Sequence, residues 1–292
     1  MIKITGVFNT ISRIKELIYN LQYLEDYKEK SKIGIDKIDF VTPLSITPVA
    51  AVINKKQLKY SYNGENILYL KTIRFPDGVK EIDKISAQKT YFPIIHLGLK
   101  SLSKTDIANQ LGLLHTKYLD LIKNNIIADQ RFLELVTNNT FGLLLGEIFD
   151  NIEEHSDAEN VYLFGQYWPK TNACEICVLD DGQGIHKSLI KAGRNVKDSE
   201  DALRKILETG LSAKTEFGSI KRATGIKNIR SAIINKEING EFLIMSGDSI
   251  FLDSAIQGEK FIKLTKYFWD GTIITLRLNR PISKYNLYNY VK

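Results

Sequence analysis

Cysteine is scarce in this chain, with two residues, Cys174 and Cys177, among 292. Two thiols cannot build a disulfide framework, which excludes the small stapled scaffolds and fits a reducing compartment. Their C-x-x-C spacing falls on a strand pattern, where positions three apart point to opposite faces, so core packing is expected rather than a metal or redox pair. Proline is sparse at 6 residues and glycine ordinary at 19, which excludes collagen-like and low-complexity chains. No stretch reaches the roughly 18 uncharged apolar residues a membrane helix requires. The opening MIKITGVFNTISRIKEL also lacks the continuous apolar segment of a signal peptide. A cytoplasmic protein with no membrane partner is therefore expected. Histidine is limited to His96, His115, His155 and His186, without metal-ligand spacing.

What remains is globular material, 43% hydrophobic and 25% charged, which excludes a disordered chain. At roughly 150 residues per domain, the length predicts two domains. Forty Lys and Arg against 34 Asp and Glu give a net charge of +6, which suits polyanions without choosing among nucleotide, nucleic acid and acidic protein.

Periodicity divides the chain into a small α/β module over 1–100, a helical connector over 101–139, a second α/β block over 140–284 and a tail over 285–292. In the module, KIDFV (37–41) and NILYLKTI (66–73) predict strands around a helix over 45–58, and YFPIIHLGLKSL predicts the start of another helix. In the second block, FGLLLGEIFDNIEEHS (141–156) predicts a largely buried helix with Thr140 as N-cap. VYLFGQYW (161–168) and ACEICVLD (173–180) predict a hairpin. SEDALRKILET and GIKNIRSAIINK predict helices separated by the loop GLSAKTEFGSIKRAT, and EFLIMSG, KFIKLTKYF and GTIITLRLN predict closing strands. Helices on one face of a mixed sheet make an α/β sandwich.

Three elements of the second block carry chemistry. Glu147 and Asn151 lie one helical turn apart, so both side chains leave the same face. A carboxylate there can take a proton from water, and an amide oxygen can coordinate a hard cation such as Mg²⁺. Alone the pair equally suits a solvated helix face, but it sits among Leu143, Leu144, Leu145, Ile148, Phe149 and Ile152. His155, one turn beyond Asn151, either borders this site or is a solvated helix-terminal residue. The second element is VLDDGQGI (178–185), a strand that ends in Asp180 and runs through Asp181, Gly182 and Gly184 into a helix. A strand-end carboxylate can accept a hydrogen bond from an exocyclic amine such as adenine's, and the glycines permit a tight turn close to a planar ligand. A plain Asp-Gly turn accounts for the same residues. The third is GLSAKTEFGSIKRATGIKNIR (210–230), in which Lys214, Lys221, Arg222, Lys227 and Arg230 face a single acid, Glu216, ahead of a helix starting near Gly225. Positive charge and a helix N-terminus suit phosphate, although a solvated basic loop or contact with nucleic acid fits the same charges.

In their order and separation these elements resemble the GHKL superfamily of ATPases. EIFDN resembles the family's N box, VLDDGQGI its first glycine box, the run ending in RATGIKNI a degenerate second glycine box, and GTIITLRL the closing strand. The resemblance covers about residues 105 to 282. It implies an ATP- and Mg²⁺-binding α/β sandwich in which Asn151 holds the metal and Glu147 activates water. Asp180 would contact adenine with Thr272 beside it, and Gly182 and Gly184 would shape the purine pocket. Ser212 and Lys214 would lie in the ATP lid, Lys221 and Arg222 would add charge, and the backbone around Gly225 would cradle phosphates. Two departures stand out: Asp181 replaces the usual Asn, and Lys221 and Ala223 stand where glycines are expected. E-x-x-x-N-x-x-x-H-S followed by D-x-G-x-G is similar to anti-sigma-factor serine kinases and to ATPases joined to a STAS-like module, and DFVTPLSITPVAAVI resembles the strand-loop-helix of such a module. The implied function is a slow ATP hydrolase acting as a nucleotide-dependent switch toward a protein partner, with a protein serine kinase or a non-catalytic nucleotide sensor as alternatives. Homo-oligomerisation and nucleic-acid binding stay open.

Overall fold

A computed structural model describes residues 2–4, 10–28, 32–38, 41–62, 67–126, 128–137, 139–213 and 225–291. In chain order the first segments are β1 (Ile2–Ile4), α1 (Thr10–Asp26), β2 (Ile33–Ile38), α2 (Pro43–Lys55), β3 (Tyr60–Tyr62), α3 (Ile67–Thr72) and β4 (Ile95–Gly98). The long middle run is α4 (Lys104–Asn125), α5 (Gln130–Thr137) and α6 (Thr140–Asn151), which continues as a π-helical turn over Ile152–Ser156. Then follow β5 (Asn160–Trp168), β6 (Ala173–Asp180), α7 (Gly184–Lys191), α8 (Ser199–Glu208), α9 (Gly225–Ile233), β7 (Glu241–Gly247), β8 (Ser249–Ser254), β9 (Gly258–Lys263) and β10 (Trp269–Asn279). Strands β1, β2 and β3 form a small parallel sheet. The other seven form one sheet in the order β4-β5-β6-β10-β7-β8-β9. Every pairing in the larger sheet is antiparallel, where a mixed sheet is expected from the sequence.

Strand β6 is buried at every residue because the sheet is covered on both sides. Cys174, Ile176 and Val178 pack with α4 to α9, whereas Cys177 and Leu179 pack with α1 and α2. Both cysteines are thus core residues on opposite faces of one strand. The second layer of helices departs from the one-faced sandwich expected above. α2 opens with a capping box in which the Ser45 amide donates to Thr42 Oγ1 at 3.2 Å and the Thr42 amide to Ser45 Oγ at 2.9 Å, and it packs on β5 and β6. The seam is pinned by charge. Arg13 of α1 donates to Glu175 of β6 at 2.6 Å, the Leu44 amide donates to the same carboxylate at 3.0 Å, and Arg277 and Glu241 complete the group. Burial pushes the Glu175 carboxyl up, but the charges of Arg13 and Arg277 and the Leu44 amide outweigh it and hold the group below the usual carboxylate range.

Four local expectations change. Ile67–Thr72 forms α3 rather than a strand: Leu70 and, just past the helix end, Ile73 are buried on one side, while Leu68 is 78% exposed. YFPIIHLGL forms β4 rather than a helix, with Ile95 and Leu97 buried in alternation, and the helix begins only after Ser103, whose Oγ accepts from the Asp106 amide. β8 is an added strand, reached through a tight connection at Gly247, whose φ is +66°. The α6 N-cap is Asn139, with Thr140 as the first helical residue. No described helix is long and apolar enough to cross a membrane.

Candidate functional site

Alternation along β6 turns Asp180 toward the six-helix face, beyond Val178. Its carboxyl is 4% exposed, and the Gly182 amide donates to Oδ1 at 2.9 Å. Burial pushes its pKa up to about 7, and the nearby Asp181 charge adds to this while amide hydrogen bonds from Gly182 and Thr272 oppose it. Thr272 is the direct partner of Asp180 in the β10–β6 ladder. A buried acid so raised gains most from a donor that stabilises its ionised form.

The glycine loop is tight for a reason the sequence does not display. A Cβ on Gly182 would lie 2.0 Å from the Ser156 carbonyl oxygen, which also accepts from the Gln183 amide at 2.6 Å. Gly184 adopts φ +73°, and a Cβ there would lie 2.9 Å from Ser246 Oγ. Both glycines thus let the loop seat against the protein's own backbone, in particular against the π-helical end of α6. Two supporting residues escaped sequence reasoning. Ser246 Oγ accepts from the Ile185 amide and donates to the Gly271 carbonyl, each at 2.9 Å. At Gly271, φ is +104° and a Cβ would stand 2.2 Å from the Asp180 carbonyl oxygen. A glycine within the Trp-Asp-Gly-Thr run was the available signal for the second; nothing local marks the first.

Across the cavity, α6 presents Glu147 and Asn151. Asn151 Nδ2 donates to the Glu147 carbonyl at 2.6 Å, which anchors the amide with its oxygen as the acceptor end. The first residue of α9, Gly225, sits directly against this pair: a Cβ there would lie 2.3 Å from Glu147 Oε2 and 3.8 Å from Asn151 Nδ2. Asp180, Thr272, Glu147, Asn151, Gly184, Ser212 and Gly225 line one cavity, walled by Ile148, Val178, Ile185, Leu189, Ile226 and Ile274. No family model matches the chain, and no curated protein matches it.

Gly182 stands behind the cavity rather than lining it. Lys214, Lys221 and Arg222, with Glu216, Gly218 and Ala223, lie outside the described residues, as does the His155 side chain. The remaining cations of the basic stretch are committed elsewhere. Lys227 Nζ donates to the Glu208 carbonyl at 2.8 Å, and Arg230 pairs with Asp253 at 2.7 Å and with Glu259. For Arg230 the single-acid reading fails, because β8 and β9 bring carboxylates to it from afar. Asp181 turns away from Asp180 and accepts from the Glu159 amide at 2.9 Å, the Asn160 amide at 2.7 Å and Asn160 Nδ2 at 2.7 Å. Asn160 Oδ1 in turn meets His96 Nε2 at 2.9 Å. From the opposite face Trp269 Nε1 donates to the Asp180 carbonyl at 3.1 Å, joining the α1–α2 side to the strand end. Among the described residues no group of three His, Cys, Asp or Glu side chains can hold a metal. A cation here would rest on Asn151 and on an anionic ligand.

Proposed function

We propose that this cavity binds ATP with Mg²⁺ in the manner of a GHKL ATPase and that the protein is a nucleotide-operated switch with slow hydrolysis. The carrying observation is the meeting of Asp180 and Asn151, far apart in sequence, in one cavity. A buried carboxylate at its floor suits an amine on a planar base, and apolar walls suit the base itself. The start of α9 suits phosphate, since the positive helix end lies there beside Glu147. The Asn151 amide, with its nitrogen committed to the helix backbone, offers its oxygen to a hard cation. Mg²⁺ held there would neutralise phosphate charge. Glu147, one helical turn from Asn151 in the same cavity, is suited to orient and deprotonate an attacking water. Trp269 and the Arg13–Glu175 seam tie β6 to the α1–α2 layer, a route by which nucleotide state would reach that layer. The STAS-like reading of that layer remains part of the proposal.

Phosphate release from ATP, measured with and without Mg²⁺, tests the reading. Wild type is expected to turn over slowly and only with Mg²⁺. Glu147→Gln should lower the rate at least tenfold while retaining nucleotide, and Asn151→Ala should lose Mg²⁺-dependent affinity. Labelled phosphate appearing on a protein instead of in solution would replace the hydrolase with a serine kinase. Tight ATP binding with neither product would leave a sensor, and no nucleotide binding at all would overturn the proposal.

A further inference from the structure

A second concave surface lies along the outer edge of the large sheet, where Val79 bridges Ile95 of the edge strand β4. It is a groove of about 640 Å³, remote in sequence from the nucleotide residues. Three short segments deliver its charge: Lys71 from the last turn of α3, Arg74 from a left-handed turn residue with φ +59°, and Lys80 and Lys84 from the stretch after Gly78. The one carboxylate among its described lining residues, Glu81, is spent on Lys84 at 2.6 Å. Lys71, Arg74 and Lys80 are exposed and have no carboxylate partner among the described residues. The groove also contains an aromatic wall. Tyr91 lines it, braced edge-on by Tyr69 with ring centroids 5.6 Å apart, and Tyr69 is fixed by donating its hydroxyl to Gln166 at 2.9 Å.

Three unneutralised cations along one groove favour a ligand with repeated negative charge. A braced aromatic among them favours one that also offers flat rings, since base stacking combined with backbone charge is how single strands are held without sequence preference. We propose that this groove binds single-stranded nucleic acid, with Lys71, Arg74 and Lys80 on phosphates and Tyr91 under a base. An acidic peptide would use the same charges but would gain nothing from Tyr91. The proposal rests on the groove alone and is independent of ATP binding.

Fluorescence anisotropy of labelled oligothymidylate and oligouridylate against the full chain, over a series of salt concentrations, tests it. Three phosphate contacts predict a slope of about −2 in log K against log salt. Lys71→Glu, Arg74→Glu and Lys80→Glu together should weaken binding at least tenfold and flatten that slope. Tyr91→Ala should weaken it several-fold with the slope unchanged, and Asp180→Asn should change nothing. Should the triple variant fail to fold, Lys71→Gln with Lys80→Gln carries the same test at smaller amplitude. Preference for one oligonucleotide over the other identifies DNA or RNA as the ligand. Absence of salt-dependent binding, indifference to the charge reversals, or equally effective displacement by polyglutamate of matched charge would overturn the proposal.

Discussion

If the cavity binds nucleotide as proposed, its affinity should depend on pH, and replacing Asp180 with Asn should abolish that dependence. Burial raises this carboxyl from 3.8 to about 7. If adenine's amine is accepted by the ionised form, the competent fraction at pH 6 is roughly one in eleven and at pH 8 roughly ten in eleven. Apparent affinity should therefore rise about tenfold between those values, which is about 1.4 kcal/mol, and level off above pH 8. Titration calorimetry with ATP at several pH values measures the slope, and buffers of different ionisation enthalpy should reveal proton release on binding below pH 7. The folded value lies above the unfolded one, so the protonated form stabilises the fold. That contribution is complete below about pH 4 and is lost as pH climbs through about 7, with a ceiling of about 4 kcal/mol for a shift of this size. Asp180→Asn should thus unfold at a higher temperature than wild type at pH 8 and show no such gain at pH 4. An affinity flat from pH 5.5 to 8 in the wild type, or the same slope persisting in the Asn variant, would refute the assignment of this carboxylate to the base.

Further perturbations probe the scaffold. Arg13→Ala leaves Glu175 buried without its nearest partner, so a loss of about 3 to 5 kcal/mol and a fall in melting temperature of roughly 10 °C are expected in calorimetry; Arg13→Met with Glu175→Gln should recover part of it. Gly182→Ala drives a methyl into the Ser156 carbonyl and should cost about 2 kcal/mol or more along with nucleotide affinity. Gly98→Ala, where a Cβ meets nothing within 4 Å, should stay within about 0.5 kcal/mol in the same denaturation assay.

Much of the candidate site was legible because its residues sit at fixed offsets in strong local patterns. One helical turn between Glu147 and Asn151 and an apolar strand ending in Asp180 needed no tertiary knowledge. Period alone also marked the helical run that holds α4 and α5, and delivered α6, α8, α9 and the β5–β6 hairpin. It misjudged the segments around 66–73 and 91–102, where short apolar runs suit either periodicity and only the neighbouring sheet edge decides between them. Lys227 and Arg230 look available along the chain, yet their partners arrive from α8, β8 and β9. The chain thus determined by itself the residue types, their local spacing and the strand or helix each pattern favours. Tertiary structure decided that α2 covers the second face of the sheet, that Ser246 and Gly271 brace the loop, that Asp180 is buried deeply enough to titrate near neutrality, and that four cations converge on one edge groove. Those outcomes depend on which distant surfaces exclude water from which groups, and no local pattern encodes that.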